Sequence, residues 1–259
     1  MKELNFVIGV MDSGFGGLSV LEELSNQIPM ADFIYYGDLL NSPYGTKPAA
    51  LVRKYVKDIV NFFLKKGVNA VLLACNTATS VSVQYLREQH EIPIFGMEPA
   101  IKPAIQAHPN SQIAVLATSL TLREEKFENL GKTLNALDRI VPYNCDGLAT
   151  LIDREDFSGA RKFLEPIFED ITKRGIQDIV LGCTHYVLIK PIFKNWNPKI
   201  RLYDGNFGTA RHMKNILDIP QIDRETKIEI YLNGGTEEDF EIAYRYLNSA
   251  NKEETEYVR

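Results

Sequence analysis

Hydrophobic and polar positions alternate along this chain in two textures. Short apolar runs at Phe6–Met11, Phe33–Tyr36, Ala70–Ala74, Ile94–Gly96, Ile113–Ala117, Asp178–Leu181 and Arg201–Tyr203 predict strands, and longer segments of helical period separate them. In "LVRKYVKDIVNFFLKK" the residues Val52, Val56, Ile59, Val60 and Phe63 recur at spacings of three and four, with Lys and Arg opposite. That segment predicts a helix covering a sheet. The strands carry few alternating polar positions, so both of their faces are expected to be buried, as in a mostly parallel sheet between two helix layers. The expected class is therefore α/β. In such sheets ligands gather beyond the carboxyl ends of the strands.

Two of these strand ends carry a thiol. "VLLACNTATSVSV" places Cys75 where an apolar run gives way to small polar residues, and "DIVLGCTHYVLIK" does the same with Cys183, 108 residues further on. The repeat predicts two related, pseudosymmetric three-layer α/β halves. "GMEPAIKPA" reads as the departure from the first half and "LYDGNFGTARHMKNIL" as the return to it. The expected division is a discontinuous first domain, 1–97 and 208–259, around a second at 98–207. The polar tail "NKEETEYVR" is expected to fray.

Composition narrows the classes of function. The 259 residues suffice for two buried cores, and a formal charge of −5 with pI near 5.5 gives no basic footprint for nucleic acid. No apolar run reaches the ~18 residues of a membrane span. "MKELNFVIGVMD" enters a strand directly, without a signal peptide's apolar block, so a cytoplasmic protein is expected. Three cysteines, 75, 145 and 183, suit a reducing compartment and not a disulfide scaffold.

Each motif has a plain structural reading beside a chemical one. Cys75 is either a small buried hydrophobe or a reactive thiol; Asn76, Thr77 and Thr79 can cap a following helix, whose positive end would favour thiolate. Bringing a thiol from ~8.5 to near 7 takes only about 2 kcal/mol. Cys183 adds His185 two residues on, with Thr184 between: a structural histidine or a proton donor beside a thiol. No Cys-x-x-Cys or His-x-x-x-His pair accompanies them, so no metal is expected. Cys145 lacks this context and reads as structural.

"VMDSGFGGLSVLEEL" offers Gly14, Gly16 and Gly17 after the first strand, but it fits a dinucleotide fingerprint poorly. Ser19 occupies the sixth position, and the acid, Asp12, precedes the glycines. The alternatives are a structural turn or a loop whose N–H groups approach a small anion, with Asp12 pointing at the same spot. In "YYGDLLNSPYGTKP", Pro43 and Gly45 are ordinary turn residues, while exposed amides of Tyr44 and Gly45 are candidate carboxylate donors. Thr118, Ser119 and Thr121 in "VLATSLTL" either face the same region or cap a helix running through "REEKFENL".

Two thiols from two similar halves, with one carboxylate and neutral donors around them, suit a nearly mirror-symmetric reaction: removal of a proton from one face of an amino acid and its return to the other. "DSGFGGLSV", "YYGDLLNSPYG", "LLACNTATS" and "LGCTHYVLI" together resemble the four motif blocks of the glutamate racemases, in order, over residues 12 to 189. That family belongs to the cofactor-independent two-cysteine racemases. The resemblance implies acid/base roles for Cys75 and Cys183, assisted by Asp12 and His185. It implies substrate contacts from Asp12, Ser13, Pro43, Tyr44, Gly45, Asn76, Thr77, Thr118, Thr121, Thr184 and His185, and no cofactor. It further implies a frequent homodimer that supplies D-glutamate for peptidoglycan.

The chain departs from the family pattern in two places. "GLATLID" ends in Asp153 where the pattern usually has a glutamate, one methylene longer, and Leu39, Leu40 and Asn41 stand where an Ala-Arg pair is common. The rival expectations are a broader aspartate/glutamate racemase, a thiol redox or metal-binding protein, and a nucleotide binder using the glycine loop.

Overall fold

In the computed structural model, residues 5–123, 136–220 and 225–247 are described, together with the backbone of 255–257. The first sheet is six-stranded, built from β1 (Val7–Asp12), β2 (Asp32–Gly37), β3 (Ala70–Leu73), β4 (Ile94–Gly96), β9 (Ile228–Leu232) and β10 (Thr255–Tyr257), in the order β10-β9-β2-β1-β3-β4. The second has four strands, β5 (Ile113–Ala117), β6 (Ile140–Asn144), β7 (Asp178–Leu181) and β8 (Arg201–Tyr203), in the order β6-β5-β7-β8. Every pairing is parallel. The inner order β2-β1-β3-β4 and the order β6-β5-β7-β8 are the same path through space, so the repeat expected from the thiol motifs is a repeat of topology.

Both sheets are covered on both faces. On one face of the first sheet, Ile8, Val10, Phe33, Tyr35 and Leu72 pack with α1 (Leu18–Gln27), α10 (Asn206–Ile216) and α11 (Glu237–Leu247). On the other, Met11, Ile34, Val71 and Leu73 meet α2 (Ala49–Lys66) and α3 (Asn76–Gln89). The period of α2 is fulfilled residue by residue: Val52, Val56, Ile59, Val60 and Phe63 are its buried positions. The helix stops at Gly67, whose φ of 75° accepts the left-handed turn. In the second sheet, Ala114, Leu116, Ile179 and Leu181 pack under α6 (Leu148–Asp153), α7 (Phe157–Lys173), α8 (Thr184–Leu188) and α9 (Lys190–Trp196). Its opposite face meets α4 (Ile101–Ala107).

Three strands escape the periodicity. β6 contains Pro142 and, after buried Ile140, alternates half-buried with exposed positions, which an edge strand tolerates and a search for apolar runs passes over. β9, "IEIYL", interrupts its isoleucines with Glu229. The tail expected to fray supplies β10 instead, paired in parallel with β9 from Thr255↔Ile228 to Tyr257↔Ile230. Threonine and tyrosine suit an extended edge, and β9 offers an unpaired side for it. The helix expected through "REEKFENL" is described only in its first turns, as α5 (Ser119–Arg123); the rest lies outside the described residues.

The ring of Phe63 lies directly over Gly9 in β1, where even a methyl group would sit 2.7 Å from the ring. Phe63 is fully buried, so Phe63→Ala should lower unfolding free energy by about 3–5 kcal/mol. Urea denaturation followed by circular dichroism checks this.

Candidate active site

The polar residues singled out above converge where the carboxyl ends of both sheets face each other. Cys75 directly follows β3 and is the N-cap of α3, with extended backbone at φ −64° and ψ 119°. Its own sulfur caps the helix, accepting from the Ala78 N–H at 3.4 Å, while Ser13 Oγ lies 3.6 Å away. The expected caps do other work. Thr79 Oγ1 donates back to the Leu73 carbonyl at 2.9 Å, and Thr77 Oγ1 turns toward the second sheet.

The expectation of an acidified thiol is corrected. Burial, and next the nearby Asp12 carboxylate, push Cys75 up to about 12, against the smaller opposing influence of the Ala78 N–H. A helix N-terminus supplies roughly half a charge, which is weaker than complete withdrawal from water beside a carboxylate. Cys183 also contributes to that rise, so the two sulfurs lie within electrostatic reach of each other.

Cys183 is the N-cap residue of α8 but its sulfur makes no capping hydrogen bond, and it is more open to solvent. Its Sγ lies 3.7 Å from His185 Nδ1, and the other ring nitrogen, Nε2, lies 2.8 Å from Asp153 Oδ1. Asp153 is the last residue of α6 and reaches the ring despite its short side chain. The three groups form a line from carboxylate through imidazole to sulfur. Burial opposes a charged ring, but the Asp153 carboxylate and the Cys183 sulfur outweigh it and hold His185 well above its ordinary value of 6.5.

The glycine loop joins these two environments. A methyl group at Gly16 would lie 2.5 Å from both the His185 backbone nitrogen and Thr184 Oγ1, and one at Gly14 would lie 2.7 Å from His185 Nε2. The glycines thus serve close packing of one half on the other. The loop N–H groups, expected to approach an anion, are partly used within the protein: Gly14 donates to Asp12 at 3.0 Å and Phe15 to Asp153 at 3.4 Å. Asp12 is fully buried and also accepts from Thr184 Oγ1 at 3.0 Å. Burial raises its pKa, and the His185 charge partly counters that rise.

A second junction is made of hydroxyls. Thr77 Oγ1 from α3 lies 2.9 Å from Thr118 Oγ1 and 3.2 Å from Thr121 Oγ1, and the last two are 3.1 Å apart. Gly45 packs against Thr118, where a methyl group would come within 2.6 Å. Ser119 does not cap α5 as expected; its N–H donates to Asp146 at 2.9 Å and its Oγ to the Gly45 carbonyl at 3.4 Å.

The Tyr44 side chain is buried, and its hydroxyl donates to Asp38 at 2.5 Å. Asp38 also accepts from Asn41 and from Asn233 Nδ2, the latter at 2.6 Å. It thereby fixes the turn that carries Pro43, Tyr44 and Gly45. Sequence patterning does not single out Asp38, because the Asn233 that completes its shell lies 195 residues away. Among the described residues neither the Tyr44 nor the Gly45 N–H donates to a protein group, so both amides are free to meet a carboxylate. Cys145 lies in the second core, with its sulfur near the Tyr143 carbonyl.

Cys75, Cys145 and Cys183 are all free thiols. Among the described residues no trio of His, Cys, Asp or Glu could hold a metal ion, and no helix is long and apolar enough to cross a membrane.

Two parallel repeats, each delivering a cysteine from the end of its third strand into one shared polar junction, define a two-thiol racemase architecture. A profile of the Asp/Glu/hydantoin racemase family matches residues 8–211, and the chain belongs to that family. Glutamate racemase of Leptospira interrogans is 45% identical over 247 residues, covering 93% of this chain and 96% of that one. The crystal structure of glutamate racemase from Campylobacter jejuni superposes with a TM-score of 0.82 at 25% identity, covering 95% of this chain and all of the other. That of Escherichia coli glutamate racemase, in complex with L-glutamate and the activator UDP-MurNAc-Ala, gives 0.79 at 27% identity, covering 93% and 95%.

The raised pKa of His185 has a measurable origin. With Asp153→Asn the carboxylate is lost while burial and the Cys183 sulfur remain, so the ring should titrate at clearly lower pH than in the unsubstituted protein. Because the folded value is raised, the stability gained from the charged ring is fully present below 6.5 and fades as pH climbs through the folded value. Histidine NMR titration of both proteins, with unfolding curves across the same pH range, checks the direction.

Proposed function

We propose that this chain is a glutamate racemase, interconverting L- and D-glutamate with Cys75 and Cys183 as its two acid/base groups. The observation that carries the reading is the pair of thiols at matching positions of two repeated α/β halves, within electrostatic reach and not bonded to each other. The names of the curated relatives support the choice of substrate.

In the proposed reaction one thiolate takes the α-proton and the electron pair stays on the substrate as a carbanion. The opposite S–H then delivers its own proton to the other face, and the protonation states of the two sulfurs are exchanged. The α-hydrogen is a far weaker acid than a thiol, so the thiolate must be a strong base and the carbanion must be held by fixed donors out of water. The raised pKa of Cys75 serves the first need. Forming its thiolate then requires a positive neighbour, and the substrate ammonium, placed beside Asp12, would supply one. Asp12 and His185 lie next to opposite sulfurs and can relay protons to them, with Asp153 orienting His185.

Substrate carboxylates would be bound by neutral donors: the Tyr44 and Gly45 amides beside Pro43, the Thr77, Thr118 and Thr121 hydroxyls, and Ser13, Asn76 and Thr184. No cofactor enters this scheme. We infer that the enzyme acts in the cytoplasm as a homodimer and supplies D-glutamate for peptidoglycan. We also infer the domain division 1–97 with 208–259 against 98–207. It is supported by sheet membership, since one sheet draws on β1–β4, β9 and β10 and the other on β5–β8.

Purified protein in deuterium oxide, without added cofactor, should wash deuterium into the α-position of both L- and D-glutamate. Failure with either enantiomer would sink the reading, and equal rates with aspartate would broaden it to an aspartate/glutamate racemase. Cys75→Ser and Cys183→Ser should each lower racemisation by roughly 10²- to 10⁴-fold. Each should retain more exchange with one enantiomer than with the other, assigning a thiol to each face.

A further inference from the structure

We propose that Glu155 and Arg245 are positioning residues, which clasp the turn behind Asp153 and so hold that carboxylate on His185. The proposal rests on the two-thiol reading above. It starts from a conformational anomaly. Helix α6 ends in a backbone-closed turn, in which the Asp156 N–H donates to the Leu151 carbonyl and the Glu155 N–H to the Ile152 carbonyl, both at 2.9 Å. Glu155 sits at the left-handed position of that turn, with φ 53°, and is the only non-glycine residue with positive φ among the described residues. Glycine is the usual occupant there. A glutamate strains the backbone and adds nothing to the turn, whose hydrogen bonds are all main-chain.

What the side chain does is reach across the molecule. Its Oε2 lies 2.6 Å from an Arg245 guanidinium nitrogen, 90 residues away in α11. That helix packs on the first sheet through Ile242, Ala243 and Leu247, whereas the turn belongs to the second. A half-exposed ion pair of this kind adds little to stability, so its use is geometric. The neighbouring residue of α11 completes the clasp: the Tyr246 ring packs on Phe15 at 6.3 Å between centroids. The Phe15 N–H donates to Asp153 Oδ1, the same oxygen that His185 Nε2 contacts. Helix α11 therefore braces Asp153 from both flanks, through Glu155 behind it and Phe15 in front.

The Glu155–Arg245 ion pair backs the carboxylate that serves His185 and Cys183, so its loss should act unequally on the two enantiomers. Glu155→Gly is the discriminating variant, because glycine fits the turn and thermal stability should stay level or rise while the ion pair disappears. Exchange should then fall roughly two- to tenfold for the enantiomer whose proton Cys183 removes, and clearly less for the other. The assignment of that enantiomer comes from the exchange most reduced in Cys183→Ser. His185, titrated by NMR without substrate, should shift to lower pH as Asp153 loosens. Arg245→Ala should reproduce both effects, Arg245→Lys should restore part of them, and the double variant should lose no more than either single one. Equal loss for both enantiomers, or an unmoved His185 titration, would overturn the clasp. Should the wild-type protein exchange neither enantiomer, the racemase reading fails, and the His185 titration alone still decides the clasp.

Discussion

The contact between the glycine loop and the start of α8 is the constraint on which the site depends. Backbone meets backbone there: at Gly16 there is no room for a β-carbon against the His185 nitrogen. This approach brings Thr184 Oγ1 to Asp12 and the Phe15 N–H to Asp153, so each half completes the other's hydrogen bonding. Asp12 closes its own sheet, since its carbonyl accepts the Asp38 N–H and its carboxylate accepts from Gly14. Separating the halves would expose a buried carboxylate shell on one side and a buried imidazole on the other. Polar groups so deeply withdrawn from water hold their geometry because leaving any of them unpaired is expensive.

Charge is distributed unevenly over this junction. Asp153 and a protonated His185 form a nearly neutral pair, whereas among the described residues the hydrogen-bond donors to Asp12, Gly14 and Thr184, are neutral. Burial accordingly raises Asp12, and its negative charge helps to raise Cys75 and Tyr35. A cationic group placed beside Asp12 would relieve all three at once. An ammonium would meet that need, while the Thr77, Thr118 and Thr121 hydroxyls and the amides of Tyr44 and Gly45 are donors of the kind an anionic group needs. An amino acid with a second carboxylate matches that division of charge.

Much of this was legible in the residues, and what was not has identifiable causes. Apolar runs located seven strands, because burial on both faces of all but the edge strand β8 leaves a distinctive composition, and the face of α2 followed from spacing alone. β6 and β9 were hidden by Pro142 and Glu229, residues that an edge or half-covered strand accepts and a run-based reading rejects. At the site, strand-end position identified Cys75, Cys183, Asp12 and Thr118, since topology makes such ends converge. The helix dipole at Cys75 was read correctly in sign but not in weight, because sequence gives no measure of how completely the sulfur leaves water. Asp38 and Glu155 were invisible, since the partners that give them purpose, Asn233 and Arg245, are distant in the chain.

The repeat in topology does not extend to the chemistry around the sulfurs. The sheets follow one path, yet Cys75 is buried beside Ser13 and Asp12, while Cys183 is partly open and is served by the His185–Asp153 pair. An interconversion with an equilibrium near unity requires only that each face have a group able both to take and to give a proton. It does not require identical groups. A buried thiol with a raised pKa, as at Cys75, is a reluctant acid and a strong base, whereas Cys183 has an imidazole within reach of its sulfur. In the proposed reaction each direction uses one sulfur in each capacity, and an ammonium beside Asp12 would shift the proton balance at Cys75. Equivalent strands deliver the sulfurs, and unlike loops surround them.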